Sequence, residues 1–137
     1  MIKFSFVLIV KLLILIYFLI LLFLNYKQNR SPKLVRAKAK KLIKKEIERL
    51  SIQNKNISWR FTEKNGSWAE LKNGRYFINF GKKAVENTIK HELYHIYRGD
   101  CDNHGKGIHN WIRIKLILYP FLFEFRAKLY ASYGVKF

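Results

Sequence analysis

Three observations predict an α+β fold carried on a membrane anchor. An almost unbroken apolar run occupies residues 4–24. Helical and alternating apolar periodicities then succeed one another between residues 31 and 133. Among them stands His91-Glu92-Leu93-Tyr94-His95, two histidines one helical turn apart with a glutamate between. A chain of 137 residues suits one small domain with an appendage. The division expected is 1–26 as a transmembrane anchor, 27–50 as a basic amphipathic helix or stalk, and 51–137 as the domain with the site.

Residues 4–24 are apolar apart from Ser5 and Lys11, with Tyr17 tolerated, and their 21 positions match the ~20 helical residues that cross a bilayer core. Lys11 can extend its ammonium toward the nearer surface. The run is followed by Leu24-Asn25-Tyr26-Lys27, without the small residues of a signal-peptidase site, so a retained anchor is expected. Residues 27–49 carry ten basic side chains and two acidic ones, whereas only Lys3 and the amino terminus precede the span. By the positive-inside rule, the C-terminal part faces the cytoplasm of a single-pass protein. The lone Cys101 agrees with a reducing compartment.

Net charge is +18, with 27 Lys and Arg against 9 Asp and Glu, which invites an anionic partner. The stretch 27–49 can lie on anionic lipid, each basic residue adding about 1 kcal/mol near the surface. It can equally be the first helix of the domain with a solvated face. Attachment within a few residues of a bilayer argues against nucleic acid.

Ser31-Pro32 predicts a helix start, with Ser31 as N-cap and Pro32 in the first turn. Leu34, Val35, Leu42, Ile43, Ile47 and Leu50 then recur near helical spacing. Residues 57–62 and 68–71 read as strands; Lys72-Asn73-Gly74 supplies a turn, and 75–80 returns. These make a small antiparallel sheet, with Tyr76, Ile78 and Phe80 on one face and Phe77 and Asn79 on the other. A helix is expected from about residue 83 to 98, stopped by Gly99, with Val85, Ile89, Leu93 and Ile96 as its apolar stripe. A polar loop over 100–110 follows, then an apolar segment over 111–119; the stretch 111–125 is too short, and with Arg113, Lys115 and Glu124 too charged, to span a membrane. A last helix is expected from about residue 120 to 133, ended by Gly134.

Histidines four apart share a helix face, so His91 and His95 can both reach one Zn²⁺, and Glu92 sits where it can take a proton from an attacking water. A catalytic zinc needs a third protein ligand. Glu124 is the leading choice, a carboxylate between Phe123 and Phe125 that is costly to bury unless paired or metal-bound. Ala127 and Ala131 follow on about the same face and let that helix pack closely. Asp100, Asp102, His104 and His109 are the rivals. Tyr97, His104, His109, Arg126 and Tyr130 are the available donors to a developing oxyanion. Cys101 and Arg98 occupy the positions where a metzincin has its third histidine and its glycine, which excludes that subclass.

His91 to His95, together with Glu124-Phe125-Arg126-Ala127, resembles the gluzincin pattern of H-E-x-x-H followed by E-x-x-A. The order helix, strands, H-E-x-x-H helix, second ligand helix is similar to the ImmA/IrrE-like peptidases, as is the aromatic-alanine pair Tyr130-Ala131 after the glutamate. Tyr94 departs from the glycine often found before the second histidine, and no helix-turn-helix accompanies the site. His104-Gly105 echoes the SprT-like proteases, which act on DNA-bound proteins. The resemblance implies a minimal zincin-like domain with His91, His95 and Glu124 on Zn²⁺ and Glu92 catalytic. The function expected is membrane-anchored metallopeptidase action on a peptide or protein substrate through a zinc-activated water. The alternative is a catalytically silent zinc-binding protein or a basic membrane-tethered interaction protein.

Overall fold

The computed structural model describes residues 2–102 and 123–136, with side chains from residue 6 onward. The described architecture is α+β. In chain order it comprises α1 (Ile2–Asn29), α2 (Arg36–Leu50), β1 (Ile57–Phe61), β2 (Trp68–Lys72), β3 (Arg75–Phe80), α3 (Glu86–Arg98) and α4 (Phe125–Tyr133). The expected loop from residue 103, the segment 111–119 and the start of the last helix at residue 120 lie outside the described residues.

Among the described residues α1 is the one helix long and apolar enough to cross a membrane, over Phe6–Asn29. Most of its surface is exposed hydrocarbon. Tyr17, Leu21, Leu24 and Gln28 are the exception, being buried or half-buried. Their spacing of four, three and four residues traces one helix face. That face packs mainly on α4, with a lesser contact to α3. The Tyr17 and Phe125 rings lie 5.7 Å apart. Lys128 Nζ donates to Asn25 Oδ1 at 3.1 Å, and Lys27 Nζ sits 3.4 Å over the Tyr133 ring. The last turns of α1 are therefore part of the domain's packing.

Helix α2 begins later than its N-cap signal suggests, at Arg36 instead of just after Ser31. The reason is that Ser31 and Pro32 serve another helix. Ser31 Oγ accepts from the Asn87 amide at 3.0 Å, and the Pro32 carbonyl accepts from the Glu86 amide at 2.8 Å. These are first-turn amides of α3, which have no partner within their own helix. The Ser31 cap is real, but it is spent across the fold. Ala39, Ile43 and Leu50 of α2 join the same core as Ile89, Leu93 and Ile96 of α3.

The sheet is mixed, not antiparallel as expected from sequence. Its order is β1-β3-β2, with β2–β3 antiparallel and β1–β3 parallel. The hairpin forms as predicted: Lys72 pairs with Arg75, and Asn73 and Gly74 take φ of 50° and 73°, a turn with both central residues left-handed. The expected meander fails because residues 62–67 carry the chain past the end of β3 to its far edge. Gly81 makes that crossing possible. A Cβ there would lie 2.3 Å from the Gly66 carbonyl oxygen and 2.6 Å from that of Lys64. The crossing is fastened by Gly81 N–H to Ser67 Oγ at 3.0 Å and Lys82 N–H to the Lys64 carbonyl at 2.8 Å.

Register places Trp59, Ala69 and Ile78 side by side, and Phe61 beside Phe80, on the face that meets α3. On the other face the fully buried Asn79 accepts from Arg60 Nε at 2.6 Å and donates to Glu70 Oε1 at 3.1 Å. Helix α4 is anchored by Tyr130, which stacks on Tyr94 at 4.7 Å and donates its hydroxyl proton to Glu46 of α2. Such a ring pair is worth about 0.5–1.5 kcal/mol beyond its burial.

Because the obstacle at Gly81 is backbone, Gly81→Ala is expected to lower stability by roughly 1–3 kcal/mol. Gly66→Ala, where an added Cβ meets nothing within 4 Å, is expected to be nearly neutral. Melting temperatures of the two variants check this; equal values would mean that the crossing loop gives way freely.

Candidate metal centre

Helix α3 is buried almost all round between Thr88 and Ile96. Its apolar residues Ile89, Leu93 and Ile96 face the core, and His91 and His95 point to α4, where Glu124 enters from the turn before Phe125. Four donor atoms from three side chains meet there. His91 Nε2 and His95 Nε2 are 3.2 Å apart. His91 Nε2 lies 3.3 Å from Glu124 Oε2, and His95 Nε2 lies 3.3 Å from Glu124 Oε1. A tetrahedral ion with bonds of about 2.0–2.1 Å separates its ligands by about 3.3 Å. The two imidazole nitrogens stand near that spacing, and each is 3.3 Å from a different oxygen of Glu124; with one ligand atom taken from each side chain, all three lie within 4.8 Å of one another, so this group can hold a metal ion.

The second nitrogen of His95 fixes its orientation. Gly99, at φ 73°, ends α3 in a left-handed turn, and the chain reverses so that Asp100 Oδ2 sits 2.8 Å from His95 Nδ1. With Nδ1 donating to Asp100, Nε2 is turned toward Glu124. Asp102, one turn further, accepts instead from Tyr76 Oη at 2.6 Å. Lys55 Nζ donates to the Ile96 carbonyl at 2.7 Å, capping the same helix end. His91 Nδ1 is buried and has no hydrogen-bond partner among the described residues.

The charge balance favours a cation. Glu92, Asp100 and Glu124 surround two buried imidazoles. Burial raises the Glu92 carboxyl above the ordinary range, against the pull of His91, His95 and the Ala69 amide. Burial would also raise Glu124, but hydrogen bonds and charge from both histidines hold its carboxyl well below the usual range. For His95, burial opposes the charged form; hydrogen bonds to Asp100 and Glu124 outweigh it and lift the imidazole to about 9. The cluster thus favours positive charge, and its three side chains could hold a metal ion.

Comparison with known protein families, curated proteins and solved structures finds no match for this chain.

Of the residues singled out from sequence, the structure brings together His91, His95 and Glu124, with Glu92 beside them at 5 % exposure. The rivals Asp100 and Asp102 are occupied by His95 and Tyr76. Tyr130 is directed to Glu46, away from the cluster, and burial together with that carboxylate raises its hydroxyl pKa. Tyr97 packs on the Tyr94 ring at 5.6 Å. Arg126 is half-buried on α4, and no hydrogen bond or ion pair ties it to the cluster among the described residues. His104 and His109 lie outside the described residues. Sequence reasoning missed the orienting role of Asp100. The signal was present: an Asp directly after a helix-stopping glycine can fold back on the last turn.

Removing a ligand should cost more than removing an orienting group. Asp100→Asn is expected to weaken metal affinity about 10–100-fold, and Glu124→Ala to weaken it further. Competition titration with zinc on the purified full-length protein checks both. Full zinc retention in Glu124→Ala would remove this residue from the ligand set.

Proposed function

We propose that the protein is a membrane-anchored zinc metallopeptidase. The observation that carries this reading is the convergence of three side chains: His91 Nε2 and His95 Nε2 lie 3.2 Å apart, each lies 3.3 Å from one oxygen of the Glu124 carboxylate, and Glu92 is next to the histidines on the same helix. Two imidazoles and one carboxylate are a zinc donor set that leaves a fourth position open. Zinc held there supplies Lewis acidity to a scissile carbonyl and lowers the pKa of a water toward 7.

The chain's own residues supply the rest. Glu92 is the proton carrier: it takes a proton from the attacking water and delivers one to the leaving amine. Its burial suits that task, because a carboxylate out of water has a higher proton affinity. Asp100 holds His95 in the tautomer that directs Nε2 inward. Tyr130 and Tyr94 fix α4 and hence the position of Glu124.

A peptide substrate is supported by β2. It is an edge strand among the described residues. In a two-residue hairpin the pair closing the turn, Lys72 and Arg75, is hydrogen-bonded, so by alternation the N–H and C=O groups of Ala69 and Leu71 point away from β3. The Ala69 amide faces Glu92. An extended peptide added along that edge would pass directly over the proton carrier.

The anchor reading of α1 rests on its length and composition, and the basic residues that follow support a cytoplasmic domain. The same basic residues suit contact with anionic lipid.

Glu92→Gln keeps size and shape but cannot carry a proton. It is expected to bind zinc as the parent does and to hydrolyse peptides at least about 10²–10⁴-fold more slowly. Zinc content and cleavage are measured on the same preparation; unchanged cleavage would sink the peptidase reading.

A further inference from the structure

Where the site opens says more about its substrate. Helix α4 runs alongside α1 in the same direction, since Phe125 meets Tyr17, Lys128 meets Asn25 and Tyr133 meets Lys27. Glu124, just before Phe125, is thus level with the apolar part of α1. Between the two helices lies an open cavity of about 310 Å³, lined by Phe18, Leu21, Leu22 and Asn25 of α1 and by Glu124 and Lys128. At about 1.5 Å per residue, Phe18 and Leu21 lie roughly 5–9 Å inside the end of the apolar run at Leu24. Glu124 therefore borders a groove whose other wall is apolar side chains of α1, and on the anchor reading above this wall lies below the membrane surface. Phe18 and Leu22, on that wall, are both exposed.

We propose that the substrate is the membrane-boundary segment of another integral membrane protein, entering through the α1–α4 groove. This rests on the peptidase reading above. Two features select that occupant. The groove takes apolar side chains at membrane depth, which a soluble chain does not bring there. The outward Leu71 N–H and C=O and the Ala69 C=O on β2 can pair with an extended backbone, which a lipid acyl chain cannot offer, while the Ala69 N–H is turned to Glu92. The end of a transmembrane helix, unwound over a few residues, has both. Hydrolysis adds one water across one peptide bond. The C–N bond breaks, oxygen goes to the carbonyl carbon, and Glu92 carries a proton to the leaving nitrogen.

Two measurements on the full-length, zinc-loaded protein in vesicles of phosphatidylethanolamine and phosphatidylglycerol test this. The first reads depth without activity. A nitroxide is attached at Leu22→Cys, Cys101 being buried, and its collisions with dissolved oxygen and with an aqueous nickel chelate are compared. Oxygen-rich, nickel-poor behaviour is expected. The reverse would place the groove in water and overturn the proposal while leaving the peptidase reading intact. The second maps cleavage. Bacterial membrane proteins are co-reconstituted with the enzyme, soluble extract is added outside, and new amino termini are compared with those made by Glu92→Gln. Glu92-dependent termini are expected within about two helical turns of the ends of apolar spans. Termini confined to soluble proteins, or scattered without regard to spans, would overturn the substrate assignment alone. No Glu92-dependent termini at all would overturn the peptidase reading and this proposal with it.

Discussion

The contact of Glu124 with the two imidazoles of α3 is the interaction on which the rest of the arrangement depends. It joins positions 29 or more residues apart in sequence and converts two histidines on a helix into a three-donor cluster. A half-buried carboxylate without partners would cost several kcal/mol of hydration. The imidazoles offset that cost by hydrogen bonding to both carboxylate oxygens. The fold supplies what the contact requires: Ala127 and Ala131 have no bulk to keep α4 from α3, and the stacked Tyr94 and Tyr130 set the separation.

Helix α4 also ties the site to the long apolar helix α1. The half-buried and buried stripe Tyr17, Leu21, Leu24 and Gln28 makes α1 part of the wall against which α4 packs. A helix long and apolar enough to cross a membrane need carry nothing else. This one also carries a periodic contact face near its C-terminal end, so α1 and the cluster share a structural partner in α4.

Much of this was legible locally. The H-E-x-x-H spacing, the Asn73-Gly74 hairpin, the stop at Gly99 and the apolar helix each follow from residues within a turn or two of one another. Glu124 was legible for a different reason, as a carboxylate stranded among Phe123, Phe125 and Ala127. The errors have a common origin. Ser31 is a genuine cap, but its hydroxyl serves α3 instead of the helix that follows it. The strands were correctly placed, but the chain passes β3 before turning back, which strand periodicity does not encode. Asp100 looked like a rival ligand because its reversal onto His95 Nδ1 exists only once Gly99 has turned the chain.

By itself, then, the sequence determined what neighbouring residues can build: an apolar helix of membrane length, a tight hairpin, and two histidines with a glutamate on one helix. Side-chain periodicity and turn chemistry act over a few residues, so they can be read without the fold. Tertiary structure alone decided which carboxylate faces the imidazoles, which one orients them, how the three strands are ordered and what borders the site. Those outcomes depend on helix docking and on one crossing loop, and docking is settled by the summed fit of distant surfaces. No single stretch of the chain carries that information.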